Sequence, residues 1–277
     1  MSNTPSTRPA ALDEPTLAGM VRIARDAGAR LLAAFRPDAR PAGRDELVAA
    51  VQANDEIASA GLSEALAALR PEARWLGDDL ASASLPDGEW WVVDAVEGNV
   101  NHVHGLPDWG VTIALVRDRQ TVLAVVHQPA HDLTWTAVRG GGAWCDGERL
   151  HVGAKQRLEA AIATTGQAEA GQSQTYRAIG ESIGAMLDHV LLVRTSVPST
   201  FPMLQVARGQ ADLFWQYAPV LPGVAAGILF ALEAGAVVSR LDGSPWQPGA
   251  GDLLVTTPQL QAETLGVFAD QRVAEVA

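Results

Sequence analysis

From Pro15 to Phe35 the apolar residues Leu17, Met20, Val21, Ala24, Leu31, Leu32 and Phe35 recur at helical spacing, which predicts an amphipathic helix. Asp13 is available as its N-cap and Pro15 stands near the first turn. After the loop-like "RPDARPAGRDE", the stretch "LVAAVQANDEIASAGLSEALAAL" keeps an apolar position every three to four residues and reads as a second helix. The pattern then changes. "EWWVVDAVEG", "WGVTIALVRD", "TVLAVVHQPAHD", "LTWTAVRGGGAWCDG" and "ERLHVG" are short, β-branched and punctuated by Asp and Gly, which predicts an antiparallel sheet with hairpins at "RDRQ" and "HDL". Beyond about residue 155 strands and helices alternate: "AAIATTG", "LLVRTS", "ADLFWQ" and "AVVSRL" as strands, with "SQTYRAIGESIGAMLDHV", "TFPMLQVARGQ" and "GVAAGILFALEAG" as helices between them. The expected organisation is a flexible N-terminus over 1–14, an α+β subdomain over 15–154 and an α/β subdomain over 155–277, the two tightly packed.

Composition narrows the class. A chain of 277 residues with 48% hydrophobic content can bury a large core. No run of about 18 apolar residues is present, and "MSNTPSTRPAALDEP" has no apolar signal core, so a cytoplasmic protein with no membrane partner is expected. Cys145 is the single cysteine, which removes intrachain disulfides and cysteine metal clusters. With 20 Lys+Arg against 32 Asp+Glu the formal charge is −12, and no basic block interrupts it, so nucleic acid is not an expected partner.

The candidate chemistry is concentrated in "WWVVDAVEGNVNHVHG", residues 90–105. A strand of Trp and Val runs into Asp94, and Glu97, Gly98 and Asn99 then turn the chain. Two carboxylates three apart, beside a glycine that can present backbone N–H groups, suit a divalent cation and a phosphate. With this segment, the helical N-terminal pair, the Gly77-Asp78-Asp79 step, "NHVHGLPDWGVTIALV", "GGGAWCDGERL" and "GVAAGILFALEAGAVVSRLDGSPW" follow in an order that resembles the inositol monophosphatase family, from about residue 15 to 260. The resemblance implies a layered αβαβα sandwich of α+β class, usually a homodimer, hydrolysing small phosphate monoesters with Mg²⁺.

It also implies a ligand set, and this chain departs from it. One Mg²⁺ would fall to Asp78, where the family has Glu, to Asp94 and to the Val96 carbonyl. A second would need the acid at Glu97 and an Asp where this chain has Gly223. Asn99 replaces a threonine that orients the attacking water, and His102 stands where the family usually has Phe. Gln216 replaces a substrate-facing Glu, and Val197-Pro198-Ser199 aligns with a substrate-lining Gly-Ser-Ala. The acid of a Thr-x-x-Asp step aligns with Gln52, a shifted alignment placing Asp55 nearby.

With acids missing from the two-ion set, the expected chemistry is metal-independent acid/base catalysis on a small molecule in a biosynthetic pathway, such as a cyclisation, isomerisation or elimination. Asp94 and Glu97 would form the pair, Asp78 and His102 would support it, and Gly98, Asn99, Asn101, Trp109, Gln216 and Gly223 would contact substrate. No cofactor is expected on this reading. The alternatives are a phosphatase retaining one Mg²⁺ and a non-catalytic binding protein.

Overall fold

The computed structural model describes residues 13–76, 85–167 and 172–274. Asp78 therefore lies outside the described residues. Contacts divide the chain into two compact units, one over 13–76 and 87–149, the other over 85–86 and 150–274. The boundary after Arg149 falls five residues before the expected one.

The first unit begins with α1 (Asp13–Ala34), α2 (Arg44–Ser59) and α3 (Leu62–Leu69). Two expectations change here. Asp13 is the first residue of α1 rather than its cap, and its carboxylate accepts Arg117 Nη2 at 3.0 Å. The predicted second helix is two helices, broken at Gly61, whose φ of 70° is left-handed. A seven-stranded sheet follows in sequence order: β1 (Arg74–Trp75), β2 (Glu89–Glu97), β3 (Gly110–Arg117), β4 (Gln120–Gln128), β5 (Leu133–Val138), β6 (Gly142–Cys145) and β7 (Glu148–Arg149). All neighbours from β2 onward are antiparallel, as expected. The hairpin at "RDRQ" turns on Asp118 and Arg119, both left-handed, the geometry that matches the strands' twist. Between β2 and β3 sits α4 (Asn99–Val103), a single helical turn that strand periodicity does not announce.

Helix α1 packs on this sheet through Met20, Ala24, Ala27 and Leu31, against Trp91, Val111, Ile113 and Leu115. Trp109 is fully buried in the same core, with 0% exposure, and does not line a surface pocket as expected. A four-ion network closes one end. Arg70 and Arg117 both reach the Glu89 carboxylate, and Arg117 also reaches Asp13, tying the start of α1, the end of α3, β2 and β3 together.

In the second unit, β8 (Ile162–Thr165), β9 (Leu192–Thr195), β10 (Leu213–Tyr217), β11 (Val237–Ser239) and β12 (Asp252–Thr256) form a sheet in the order β11-β12-β10-β8-β9. Its helices are α5 (Ser173–Leu187), α6 (Thr200–Ala207), α7 (Leu221–Glu233) and α8 (Gln261–Ala274). The sheet is mixed, because β12 runs antiparallel to both β10 and β11. Strand alternation divides the core: Leu213, Trp215 and Leu254 belong to one cluster, Phe214, Leu253 and Val255 to another. Trp215 is thus core as well, its Nε1 donating to Ser182 Oγ at 2.9 Å.

Helix α1 approaches the end of β4 closely at Gly28. A Cβ there would stand 2.6 Å from His127 Cδ2 and 2.7 Å from Pro129 Cγ, both held by a buried ring and a rigid turn. Gly28→Ala is therefore expected to destabilise the protein by about 1–3 kcal/mol despite the better helix propensity of Ala. A urea midpoint unchanged or raised would show that α1 is free to shift.

Candidate functional site

The β2–β3 pairing slips between Asp94 and Glu97: Asp94 faces Thr112, and Glu97 faces Gly110, three residues against two. The irregularity turns the end of β2 out of regular pairing, and Gly98, at φ 81° and left-handed, starts α4 from there. A side chain with a Cβ is strained at that φ, which accounts for the glycine. Asp94 Oδ1 accepts the Val96 N–H at 3.0 Å. Burial pushes the Asp94 carboxyl up to about 6; the nearby charge of Asp55 pushes the same way and the Val96 N–H opposes.

Of the two positions the alignments offered, the shifted one, Asp55, is the acid beside Asn99. It lies on α2, where its Oδ1 accepts Asn99 Nδ2 at 2.8 Å; both it and Gln52 are exposed. Burial raises the Asp55 carboxyl too, with the Asn99 hydrogen bond opposing. Helical phase was the available signal. Val51, Asn54, Asp55 and Ala58 follow i, i+3, i+4, i+7 spacing, and Asn54 and Ala58 are the buried residues of α2.

Glu97 does not pair with Asp94 as an accessible acid. It is 1% exposed, with Oε2 at 3.5 Å from the Thr112 hydroxyl. His102 departs further from expectation. Its ring is buried among Phe35 and Trp109, centroids 5.2 and 4.6 Å away. Nε2 lies 3.0 Å from the Leu31 carbonyl, and Nδ1 lies 2.9 Å from Asn54 Nδ2. With both nitrogens committed and burial pushing its pKa below the usual histidine value, His102 is a neutral structural ring and not a general base. Asn99 is likewise engaged, by Val51, Asn54 and Asp55. Asn101 Nδ2 donates to the Asp108 carbonyl at 2.7 Å, bracing the loop from α4 to β3.

In the second unit, Gln216 on β10 is 7% exposed, and its Oε1 is buried with no hydrogen-bond partner among the described residues. A Cβ at Gly166 would lie 3.1 Å from Ser199 Oγ and 3.3 Å from Gln216 Oε1, so these three residues share one spot. An orphaned buried acceptor is costly unless something satisfies it. Gly223 sits in the first turn of α7, where an added Cβ would meet only Val220 Cγ2, at 3.8 Å. Packing does not forbid an acid there; the sequence simply lacks one.

Among the described residues no three His, Cys, Asp or Glu side chains form a group that would hold a metal. Glu97 is turned to Thr112, and Gly223 offers no side-chain oxygen.

The inositol monophosphatase family model matches residues 12–272. The chain belongs to the inositol monophosphatase family. A relative named inositol-1-monophosphatase from Rhizobium meliloti is 32% identical over 201 residues, 72% of this chain and 75% of that protein. A relative named Nus factor SuhB from Pseudomonas aeruginosa is 32% identical over 155 residues, 56% of this chain and 57% of that one. The solved inositol monophosphatase from Anabaena has the same fold, with a TM-score of 0.78, 21% identity and coverage of 93% and 96%. The α+β fold expected from the motif order is thus the observed one.

The raised Asp94 carboxyl has a measurable cost. An unfolded aspartate titrates near 3.8 and the folded one near 6, so the folded chain binds the proton more tightly between those values. Stability therefore falls as pH rises through that window and stays lower above it. Asp94→Asn keeps an oxygen for Val96 N–H and removes the charge, so it is expected to stabilise the protein by about 1–3 kcal/mol at pH 7.5. The gain should shrink as the pH is lowered to 4.5. Urea titrations at both values check this, and a pH-independent difference would sink it.

Proposed function

We propose that this chain is a small-molecule enzyme using the inositol monophosphatase scaffold for metal-independent acid/base chemistry, a cyclisation, isomerisation or elimination, with Asp94 and Asp55 as the working carboxyls. The observation that carries the reading is the Asp94 carboxyl, held near pH 6 beside a second acid at the end of β2. A group poised there is sufficiently basic to take a proton at neutral pH and still sufficiently acidic to return it. Glu97, Gly98 and Asn101 shape the turn that presents Asp94.

Two other readings have specific support. The Rhizobium meliloti relative is named for phosphatase activity, which favours a surviving Mg²⁺-dependent phosphomonoesterase using Asp94 and the Val96 carbonyl, with Asp78, as one-ion ligands. The Pseudomonas aeruginosa relative is named a Nus factor, which favours a non-catalytic binding role. Phosphate release from a panel of sugar and inositol phosphates, with Mg²⁺ and with EDTA, separates the first two. We expect no EDTA-sensitive release. Turnover of a substrate suggested by neighbouring genes should persist in EDTA, with kcat falling roughly 10²–10⁴-fold in Asp94→Asn. If Asp94→Asn and Asp55→Asn both left the biological function intact, the binding role would stand instead.

We further propose a homodimer. Leu187, Leu191, Leu192 and Val197 are exposed in the second unit, and β9, which carries Leu192, is an open sheet edge. Light scattering should return twice the 29.1 kDa chain mass, and Leu191→Asp should shift it toward one. A wild-type monomer at micromolar concentration would remove this assignment. No helix among the described residues is long and apolar enough to cross a membrane.

A further inference from the structure

The hydrogen bonds around Asn99 have only one polarity. Asn99 Nδ2 lies 3.1 Å from the Val51 carbonyl, which can only accept, so the Asn99 NH₂ must point there and at Asp55. Asn99 Oδ1 then faces Asn54 Nδ2 at 2.8 Å, which fixes the Asn54 amide. The same Asn54 NH₂ lies 2.9 Å from His102 Nδ1, so that nitrogen is the bare one. The proton of a neutral ring is left on Nε2, 3.0 Å from the Leu31 carbonyl, which again can only accept. Two backbone carbonyls thus set the direction of the whole relay from its two ends, and every amide hydrogen of Asn54 and Asn99 has a partner. Reversing the Asn54 amide would set its oxygen against Asn99 Oδ1, and reversing Asn99 to match would set that oxygen against Val51 and Asp55.

We propose that Asn54 is a positioning residue of the site, and that with His102 behind it, it locks the Asn99 amide so that one N–H is always delivered to Asp55 Oδ1. The assignment rests on the reading of Asp55 as a working carboxyl. Asn54 and His102 touch no reacting atom; they act through Asn99. This gives the histidine at 102 a purpose that a base does not. A phenylalanine there would fill the space between Phe35 and Trp109 but accept nothing from Asn54.

The test uses the full chain without ligand. In ¹⁵N-labelled protein at pH 7.5, His102 should show a bare Nδ1 and a protonated Nε2, and Asn99 should show two protected side-chain amide protons. Asn54→Asp, which cannot donate to His102 Nδ1 or to Asn99 Oδ1, should move the His102 ring to a protonated Nδ1 and shift the Asn99 amide signals. His102→Phe does not touch Asn99, yet it should shift and broaden the Asn99 amide signals while backbone signals of the seven-stranded sheet stay in place. The proposal is overturned if wild-type His102 carries its proton on Nδ1, or if Asn99 is unmoved in both variants. Should Asn54→Asp fail to fold, the wild-type tautomer and His102→Phe still decide. These spectra are independent of turnover, so EDTA-sensitive phosphate release would reject the acid/base reading without touching the lock.

Discussion

Backbone carbonyls cannot donate, and at Leu31 and Val51 that constraint organises the surroundings of Asp94. Between those two oxygens the side chains of His102, Asn54 and Asn99 have one mutually consistent arrangement, and it fastens α1, α2 and α4 to one another. The three helices approach from different parts of the chain, and apolar packing alone would leave their rotations loosely specified. A polar relay with every donor matched is more demanding, because a mispairing at Asn54 or His102 leaves an unpaired group in a buried place. The left-handed Gly98 and the irregular pairing between Asp94 and Glu97 bring the relay and the strand end together.

Much of the architecture was legible because it depends on periodicity. The α1 stripe, the antiparallel run from β2 to β7 and the alternation of β8, α5, β9, α6, β10 and α7 all follow from spacing and turn residues. The misses have local causes. Gly61 interrupts a stretch whose apolar spacing continues across it, so pattern alone merges α2 and α3. Strand β12 and helix α8 lie largely beyond the motifs that anchor the resemblance and were not read. At the site the legible part was the strand, the turn glycine and Asp94. Side-chain direction was not legible. Glu97 is three residues from Asp94, yet the slipped register sends it to Thr112, while Asp55, some forty residues earlier, arrives on the matching face of α2. The histidine at 102 was read from its chemistry rather than its neighbours, and two rings and two hydrogen bonds leave that chemistry no outlet.

The departures from the family pattern are not independent of one another. A hydroxyl in place of the Asn99 amide could not serve Val51, Asp55 and Asn54 together, and a phenylalanine in place of His102 would strand a donor of Asn54. Returning His102 to phenylalanine leaves a donor of the buried Asn54 unpaired, at a cost of about 1–3 kcal/mol. Asp94 and Asp55 meanwhile sit close enough for Asp55 to raise the Asp94 carboxyl. A cation held beside the pair would offset that repulsion and lower both carboxyls, so a proton and a divalent ion would compete for the same two groups.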